Sequence, residues 1–418
     1  MGDEMSNILY IGNNFGLISS MFGRHNVLTL NTPEDFRFDE KDIIKSSSGI
    51  DLNEINLIFC ELPSSVLVLL KLIKESKYEG PVILVPHLNP YPLRNLLSIL
   101  VFLQNTIGQS VIVCGSDSSA IIYKRLFGVN PLVLPTYGIE KNIFNKKEKG
   151  SSRKRLGLGK DAKVLLYTGR IAPDKNIGGV FAIYDSLCKD IPDLKLVITY
   201  NRTIDVYIKR LVFQWKPDDL LLLNLDTDKL PYVYSASDLF VSCSTSYFET
   251  FGRSPLEANA CGIPAIVPNW IGFSSYINSV NGKLVDVDFF EEQLFDDKNY
   301  SMVNLELFAE VCKSYLDRDN SNIDIDEYLT KDNVYSKYMS LISALLEQNQ
   351  FTQDISEHMN YTYRLSPEVE DLLDRLKLKA FDNILDAIKT NSNDPMTDAE
   401  YKELFYLTFK EAANRKVC

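Results

Sequence analysis

The sequence predicts an α/β protein made of two successive doubly wound parallel sheets, followed by a helical extension. Three observations carry this. Short apolar runs alternate with helical patterns through the first 135 residues, a second such series fills 164–285, and a polar basic run, KKEKGSSRK at 146–154, lies between them. Apolar runs without polar alternation suit strands buried on both faces, the usual setting of parallel sheets.

In chain order, strands are expected at 8–11, 27–30, 57–60, 82–85, 111–114 and 132–134, with helices over 65–77, 93–107 and 118–126. Gly, Pro, Asn or Asp bounds each strand run, as chain reversals require. The Ser/Gly-containing run at 146–154 reads as an interdomain connection. Beyond it, strands are expected at 164–168, 194–199, 220–224, 239–242, 265–267 and 283–285, with helices over 178–189, 203–214, 230–235, 253–260 and 273–279. From about residue 305 the pattern is helical only, at 305–316, 334–347, 367–389 and 398–415. Pro367 with Glu368, Glu370 and Asp371 suits a helix start, where proline forfeits no hydrogen bond and acids meet the positive end of the dipole. The expected domains are 1–150 and 151–304, with a helical tail over 305–418 that packs back on the first domain. Two such domains with facing strand ends form a cleft, and ligands bind outside the carboxyl ends of the strands.

Composition narrows the classes. The chain has 418 residues, 45% hydrophobic and 24% charged, which is ordinary globular usage. A net charge of −12 repels phosphate backbones and anionic surfaces at long range, so nucleic acid is excluded as a partner, while a local cation cluster can still hold one phosphorylated ligand. Seven scattered cysteines without a CxxC pair read as free thiols of a reducing compartment. The acidic start lacks a basic leader, and the apolar stretches at 66–70 and 96–103 are far shorter than a membrane span. A cytoplasmic chain with no stable transmembrane insertion is expected.

Four segments carry candidate chemistry. In LLYTGRIAPDK (165–175) a strand ends at Thr168, Gly169 opens the turn, and Arg170 and Lys175 stand at the strand's carboxyl end, where cations can neutralise a diphosphate. Two ordinary surface cations would look the same. In SCSTSYFETFGRSPLEANACGIPAIVP (242–268), Glu249 and Glu257 are eight apart at a helix entrance. The turn at Gly252 and the first helical turn offer backbone N–H groups to phosphate, Pro255 fits the helix start, and a glutamate can bind vicinal ribose hydroxyls. An ordinary loop glutamate and an exposed helix glutamate remain the plain alternative. His87, in VPHLNPYP after the strand at 82–85, is placed to hydrogen-bond a substrate hydroxyl; a packing histidine is equally consistent. Gly12 and Gly16 follow the first strand without forming GxGxxG. No GxSxG, P-loop or HExxH motif occurs, and no ligand set for a metal is evident.

Taken in order, these segments resemble the GT-B nucleotide-sugar glycosyltransferases, in particular the retaining glycosyltransferase family 4. VLPTYGIEKNIF (133–144), KRLGL (154–158), LLYTGRIAPDKN (165–176), LPYVYSASDLFVSCSTSYFETFGRSPLEANACGIPAIVP (230–268) and NGKLV (281–285) follow the family's order, with the EX7E pair as Glu249 and Glu257. The match is good over about 130–290 and loose before it. The resemblance implies two facing Rossmann-like domains, the first on the acceptor side and the second holding the donor. It implies Arg170 and Lys175 as the cations on the donor diphosphate, Glu257 as the ribose ligand and Glu249 as the carboxylate near the transferred sugar. It further implies His87 as the first-domain histidine that contacts that sugar, with Gly12 and Gly252 in donor-binding loops. Tyr137 where the family has Asn, Arg253 where it has an apolar residue, and WIGFSSYI (270–277) in place of a Gly-Gly loop depart from the pattern. The implied reaction is retaining transfer of a hexosyl group from a nucleoside diphosphate sugar to a hydroxyl of a sugar, lipid-linked glycan or protein, without metal or other cofactor. A sugar-nucleotide epimerase or hydrolase on the same fold is one alternative, and an inactive nucleotide-sugar-binding scaffold is the other. Turnover separates the enzymes from the scaffold, and an acceptor requirement separates transfer from the rest.

Overall fold

The computed structural model describes residues 6–12, 21–22, 25–32, 50–76, 78–106, 108–200, 220–288, 302–318, 320, 322–347, 356–359, 362–378, 401, 404 and 408. The chain forms two compact units, one from Met1–Thr136 with Asp332–Cys418, the other from Tyr137–Lys331. The divisions therefore fall at 136 and 331 rather than at 150 and 304.

In the first unit, β1 (Asn7–Gly12), β2 (Asn26–Asn31), β3 (Leu57–Glu61), β4 (Val82–Val85), β5 (Ser110–Cys114) and β6 (Leu132–Val133) form one parallel sheet in the order β2-β1-β3-β4-β5-β6. β3, β4 and β5 are buried at every position, as unbroken apolar runs require, whereas β2 is an edge strand and largely exposed. The helices α1 (Val66–Ser76), α2 (Leu93–Asn105) and α3 (Asp117–Phe127) connect successive strands. α3 begins at Ser116, whose side chain accepts from the Ser119 N–H, and stops at Gly128 in the left-handed region.

The second unit repeats the plan. β7 (Lys163–Thr168), β8 (Leu194–Tyr200), β9 (Leu220–Asn224), β10 (Leu239–Val241), β11 (Ala265–Pro268) and β12 (Gly282–Val285) form a parallel sheet in the order β12-β11-β10-β7-β8-β9. Its helices are α4 (Lys149–Arg155), α5 (Ile177–Leu187), α6 (Leu230–Ala236), α7 (Arg253–Ala260) and α8 (Leu305–Leu316). Phe308 and Cys312 of α8 are fully buried in the same core as Val180 and Phe181 of α5, so this first helix of the expected tail belongs to the second unit. The strand pair β13 (Val287–Asp288) and β14 (Met302–Val303) is antiparallel and was not anticipated.

Two expectations are corrected. The run at 146–154 is not a bare connection, because α4 occupies most of it. Glu148 caps that helix by accepting from the Gly150 and Ser151 N–H groups, and Arg153 anchors it to the Ala236 carbonyl (3.0 Å) and to Asp238 (2.8 Å). The helix expected at 273–279 is only a 3-10 turn, Phe273–Ser275. There Asn side chains bind nearby backbone: Asn281 accepts from the Asn278 N–H, and Asn278 accepts from the Val280 N–H, which holds the chain out of helix.

The remaining helices belong to the first unit. α9 (Lys331–Leu346) buries Val334, Tyr338, Leu341, Ile342 and Leu345, and the Tyr338 ring lies 6.2 Å from that of Phe59 in β3. α10 (Pro367–Arg375) starts at Ser366, which accepts from the Val369 N–H, and carries Glu368 and Glu370 in its first turn. The expected helix at 203–214 lies outside the described residues, as do Gly16 and most of 379–389 and 398–415.

Candidate functional site

In each sheet the chain works outward from a central strand and then returns to that strand's other side. The reversal falls between β1 and β3 in the first unit and between β7 and β10 in the second. Loops leaving the two strands diverge there, which opens a crevice at their carboxyl ends. The residues singled out in the sequence gather at these two places.

In the first unit, Gly12 ends β1, Glu61 ends β3 and His87 stands two residues past β4. Glu61 is fully buried. It accepts a short hydrogen bond from the Tyr10 phenol, and its Oε1 lies 3.0 Å from His87 Nε2. With Glu61 ionised this bond requires the proton on Nε2, so a neutral ring presents Nδ1 as an acceptor. His87 has φ of 53°, in the left-handed region that histidine enters more readily than most other non-glycine residues. A Cβ on Gly12 would lie 2.5 Å from Tyr10 Oη and 3.0 Å from Glu61 Cβ, so the glycine makes room for the Tyr10–Glu61 pair.

In the second unit, Lys175 and Glu249 form a short ion pair, both side chains being only 15% exposed. Ser244 Oγ adds a hydrogen bond to Glu249 at 3.0 Å. Arg170 lies 3.0 Å from Asp174, which is also 3.7 Å from Lys175. Burial pushes the Glu249 carboxyl up, but the Lys175 charge and the hydrogen bonds from Lys175 and Ser244 outweigh it and hold the group below its ordinary 4.5. The loop from Glu249 leads to Gly252, the N-cap of α7, at φ of 82°, where a Cβ would meet the Phe273 ring at 2.4 Å. The N-cap Gly252 brings no side chain to α7, Pro255 has no N–H, and the Leu256 N–H is turned to the Tyr276 hydroxyl, so the N–H groups at the start of α7 are those of Arg253 and Ser254.

Glu257 lies within α7 and is buried. Its Oε1 accepts from Tyr137 and its Oε2 from Tyr234, both at 3.0 Å. Burial, reinforced by the Glu257 charge, raises both phenols well above their ordinary range, so they remain donors. The Arg253 guanidinium lies 4.2 Å over the Tyr137 ring. Tyr137 and Arg253, two departures from the expected pattern, are thus in contact with each other, and Tyr137 also bonds the carboxylate that the resemblance gives to ribose.

The sequence reading overlooked Glu61, Ser244 and Tyr234. Glu61 was legible as an acid closing the apolar strand LIFCE. Ser244 sits inside the segment already singled out, yet nothing distinguishes it from its neighbours Ser242 and Ser246. Tyr234 reads as an apolar helix residue, and only the fold turns its hydroxyl toward Glu257.

A family model described as Glycosyl transferases group 1 matches residues 148–299. Among curated relatives, a D-inositol 3-phosphate glycosyltransferase of Catenulispora acidiphila is 27% identical over 179 residues, covering 40% of this chain and 42% of the relative. A GDP-mannose-dependent alpha-mannosyltransferase of Corynebacterium glutamicum is 29% identical over 180 residues, covering 43% and 41%. The chain thus matches less than half the length of these relatives. The solved sucrose-phosphate synthase of Thermosynechococcus elongatus superposes with a TM-score of 0.56 over 90% of this chain and all of that one, at 15% identity, which is a likeness of fold. Residues 148–299 are thus similar to the group 1 glycosyl transferases, in a chain whose two parallel sheets share the GT-B fold.

Proposed function

We propose that the protein transfers a hexosyl group from a nucleoside diphosphate sugar to an acceptor hydroxyl, with retention at the anomeric carbon and without a divalent metal. The observation that carries this is the Lys175–Glu249 pair at the β7/β10 reversal, beside the Gly252 entrance of α7. An ammonium has three donors, and Glu249 takes one, which leaves capacity for phosphate oxygens. Arg170, Lys175 and the α7 N–H groups together supply the positive charge a departing diphosphate needs. Glu257 takes the ribose hydroxyls, and Glu249 faces the sugar. The bond between the anomeric carbon and the diphosphate oxygen breaks with its electron pair on the diphosphate. The acceptor oxygen forms the new bond on the same face and passes its proton to the departing phosphate. In the first unit the Glu61–His87 pair is assigned to substrate contact through the imidazole. The described cysteines are free and mostly buried, which supports a reducing, cytoplasmic setting; no helix among the described residues is long and apolar enough to cross a membrane.

The test is nucleotide release from a panel of UDP- and GDP-sugars, with and without sugar and lipid acceptors, in the presence of EDTA. Acceptor-dependent release that persists in EDTA is expected, with product of unchanged anomeric configuration by NMR. Release without any acceptor would assign hydrolysis instead, and binding without turnover would assign a scaffold.

A further inference from the structure

The opposite edge of the second sheet holds a feature that the donor site does not use. β7 starts at Lys163, β10 follows Asp238 and β11 follows shortly after Ile263, so these amino ends lie away from the carboxyl ends that carry Arg170, Lys175 and Glu249. A cavity of about 240 Å³ opens there, and its lining includes Lys146, Lys147, Lys149, Lys163 and Arg318 with one carboxylate, Asp238. Five cations against one acid contrast with a chain of 44 basic and 56 acidic residues.

The nearby acids are committed elsewhere. Asp238 already accepts from Arg153 and from the Val164 N–H, both at 2.8 Å, and pairs with Lys149. Glu148 turns its two oxygens to the first N–H groups of α4. Lys163 donates to the last carbonyl of α8, at Leu316. Lys147 donates to Asn145 at 2.6 Å and lies 5.8 Å over the Tyr232 ring, and Arg318 lies 4.4 Å over the Tyr315 ring, so both rest on neutral partners among the described residues. Lys146 is seated by packing: Gly262 has φ of 81°, and a Cβ there would stand 3.0 Å from Lys146 Cδ. The positive charge is therefore held in place around an open volume.

We propose that this cavity binds a compact phosphate-bearing anion, at a site separate from the donor diphosphate. Ammonium groups act on phosphate as point charges and the guanidinium as a planar fork. The volume is below the roughly 300–1,000 Å³ of pockets for drug-sized ligands, which suits a small phosphorylated molecule or a phosphate headgroup.

Inorganic pyrophosphate is the probe, titrated by calorimetry into the full-length wild type and into Lys175→Gln, which weakens the donor site. In both backgrounds Lys147→Ala/Arg318→Ala should weaken one binding event at least about tenfold, as expected for lost charge-assisted hydrogen bonds. Lys147→Arg/Arg318→Lys should restore it, and Lys229→Ala should leave it unchanged, with circular dichroism confirming the fold of each variant. If Lys175→Gln does not fold, the wild-type comparison alone decides. Flotation with phosphatidylglycerol vesicles separates the sources: co-flotation lost in the double alanine variant assigns a headgroup, and pyrophosphate binding without flotation assigns a free molecule. Absence of a pyrophosphate event sensitive to Lys147 and Arg318 overturns the proposal and leaves the donor reading untouched.

Discussion

Glu249 and Glu257 are eight residues apart yet hold opposite kinds of partner. Glu249 is neutralised by Lys175, while Glu257 is held by two phenols that bring no charge. The difference predicts different kinetics. In the proposed reading Glu257 takes the ribose, a part of the donor that does not change, so Glu257→Gln should raise the donor KM with a smaller effect on kcat. In the same reading Glu249 faces the reacting sugar, so Glu249→Gln should lower kcat even at saturating donor. Steady-state kinetics on folded variants checks both, and identical profiles would reverse the assignment. The Lys175–Glu249 pair also sets a pH dependence. Because the folded Glu249 carboxyl is held below its ordinary 4.5, its contribution is fully present above that value and is lost as pH falls through the folded value. Wild type should therefore melt above Glu249→Gln at pH 7, and the gap should narrow in melts taken below pH 4.5.

At the scale of elements, α4 shows how a polar run becomes part of a core. Its sequence, KGSSRKR, has no apolar face, and the short helix is held by one buried arginine. Arg153 is 7% exposed and its partner Asp238 14%, and Asp238 also receives the Val164 N–H at the start of β7. Removing the arginine leaves Asp238 with only Lys149 and the Val164 N–H, and takes the buried donor from the Ala236 carbonyl. Arg153→Ala should cost on the order of 3 kcal/mol, read from denaturant unfolding, whereas Lys154→Ala on the exposed side should cost little. The start of α10 was readable because a proline followed by acids in the first turn is a local signal. α4 was not, because its anchor lies 85 residues away in Asp238.

For the whole molecule, the chain leaves the first unit at Thr136 and returns to it at Asp332. The second unit is thus continuous in sequence, and the first is assembled from both ends of the chain. α9 supplies the first unit with five buried apolar side chains, including the Tyr338 that packs on Phe59. A chain ending at residue 331 should therefore keep the second unit folded and lose the first. Limited proteolysis with mass spectrometry should then leave a protected fragment beginning near residue 137, whereas full-length protein keeps both units. Protection of residues 6–136 in the shortened chain would contradict the dependence on α9.

The positions of the twelve strands of the two parallel sheets and the segments bearing Arg170, Lys175, Glu249, Glu257 and His87 were legible from residue patterns alone. Buried parallel strands leave unbroken apolar runs, and strand-end loops leave glycine and charge beside them. Which partners those residues meet was not legible. Lys175 to Glu249 spans 74 residues, Tyr137 to Glu257 spans 120, and Tyr10 to Glu61 spans 51. No local pattern encodes such pairs, because sheet order sets them: β7 beside β10, and β1 beside β3. The division of the chain into units has the same cause, since the burial of α9 against β3 depends on the sheet already being there.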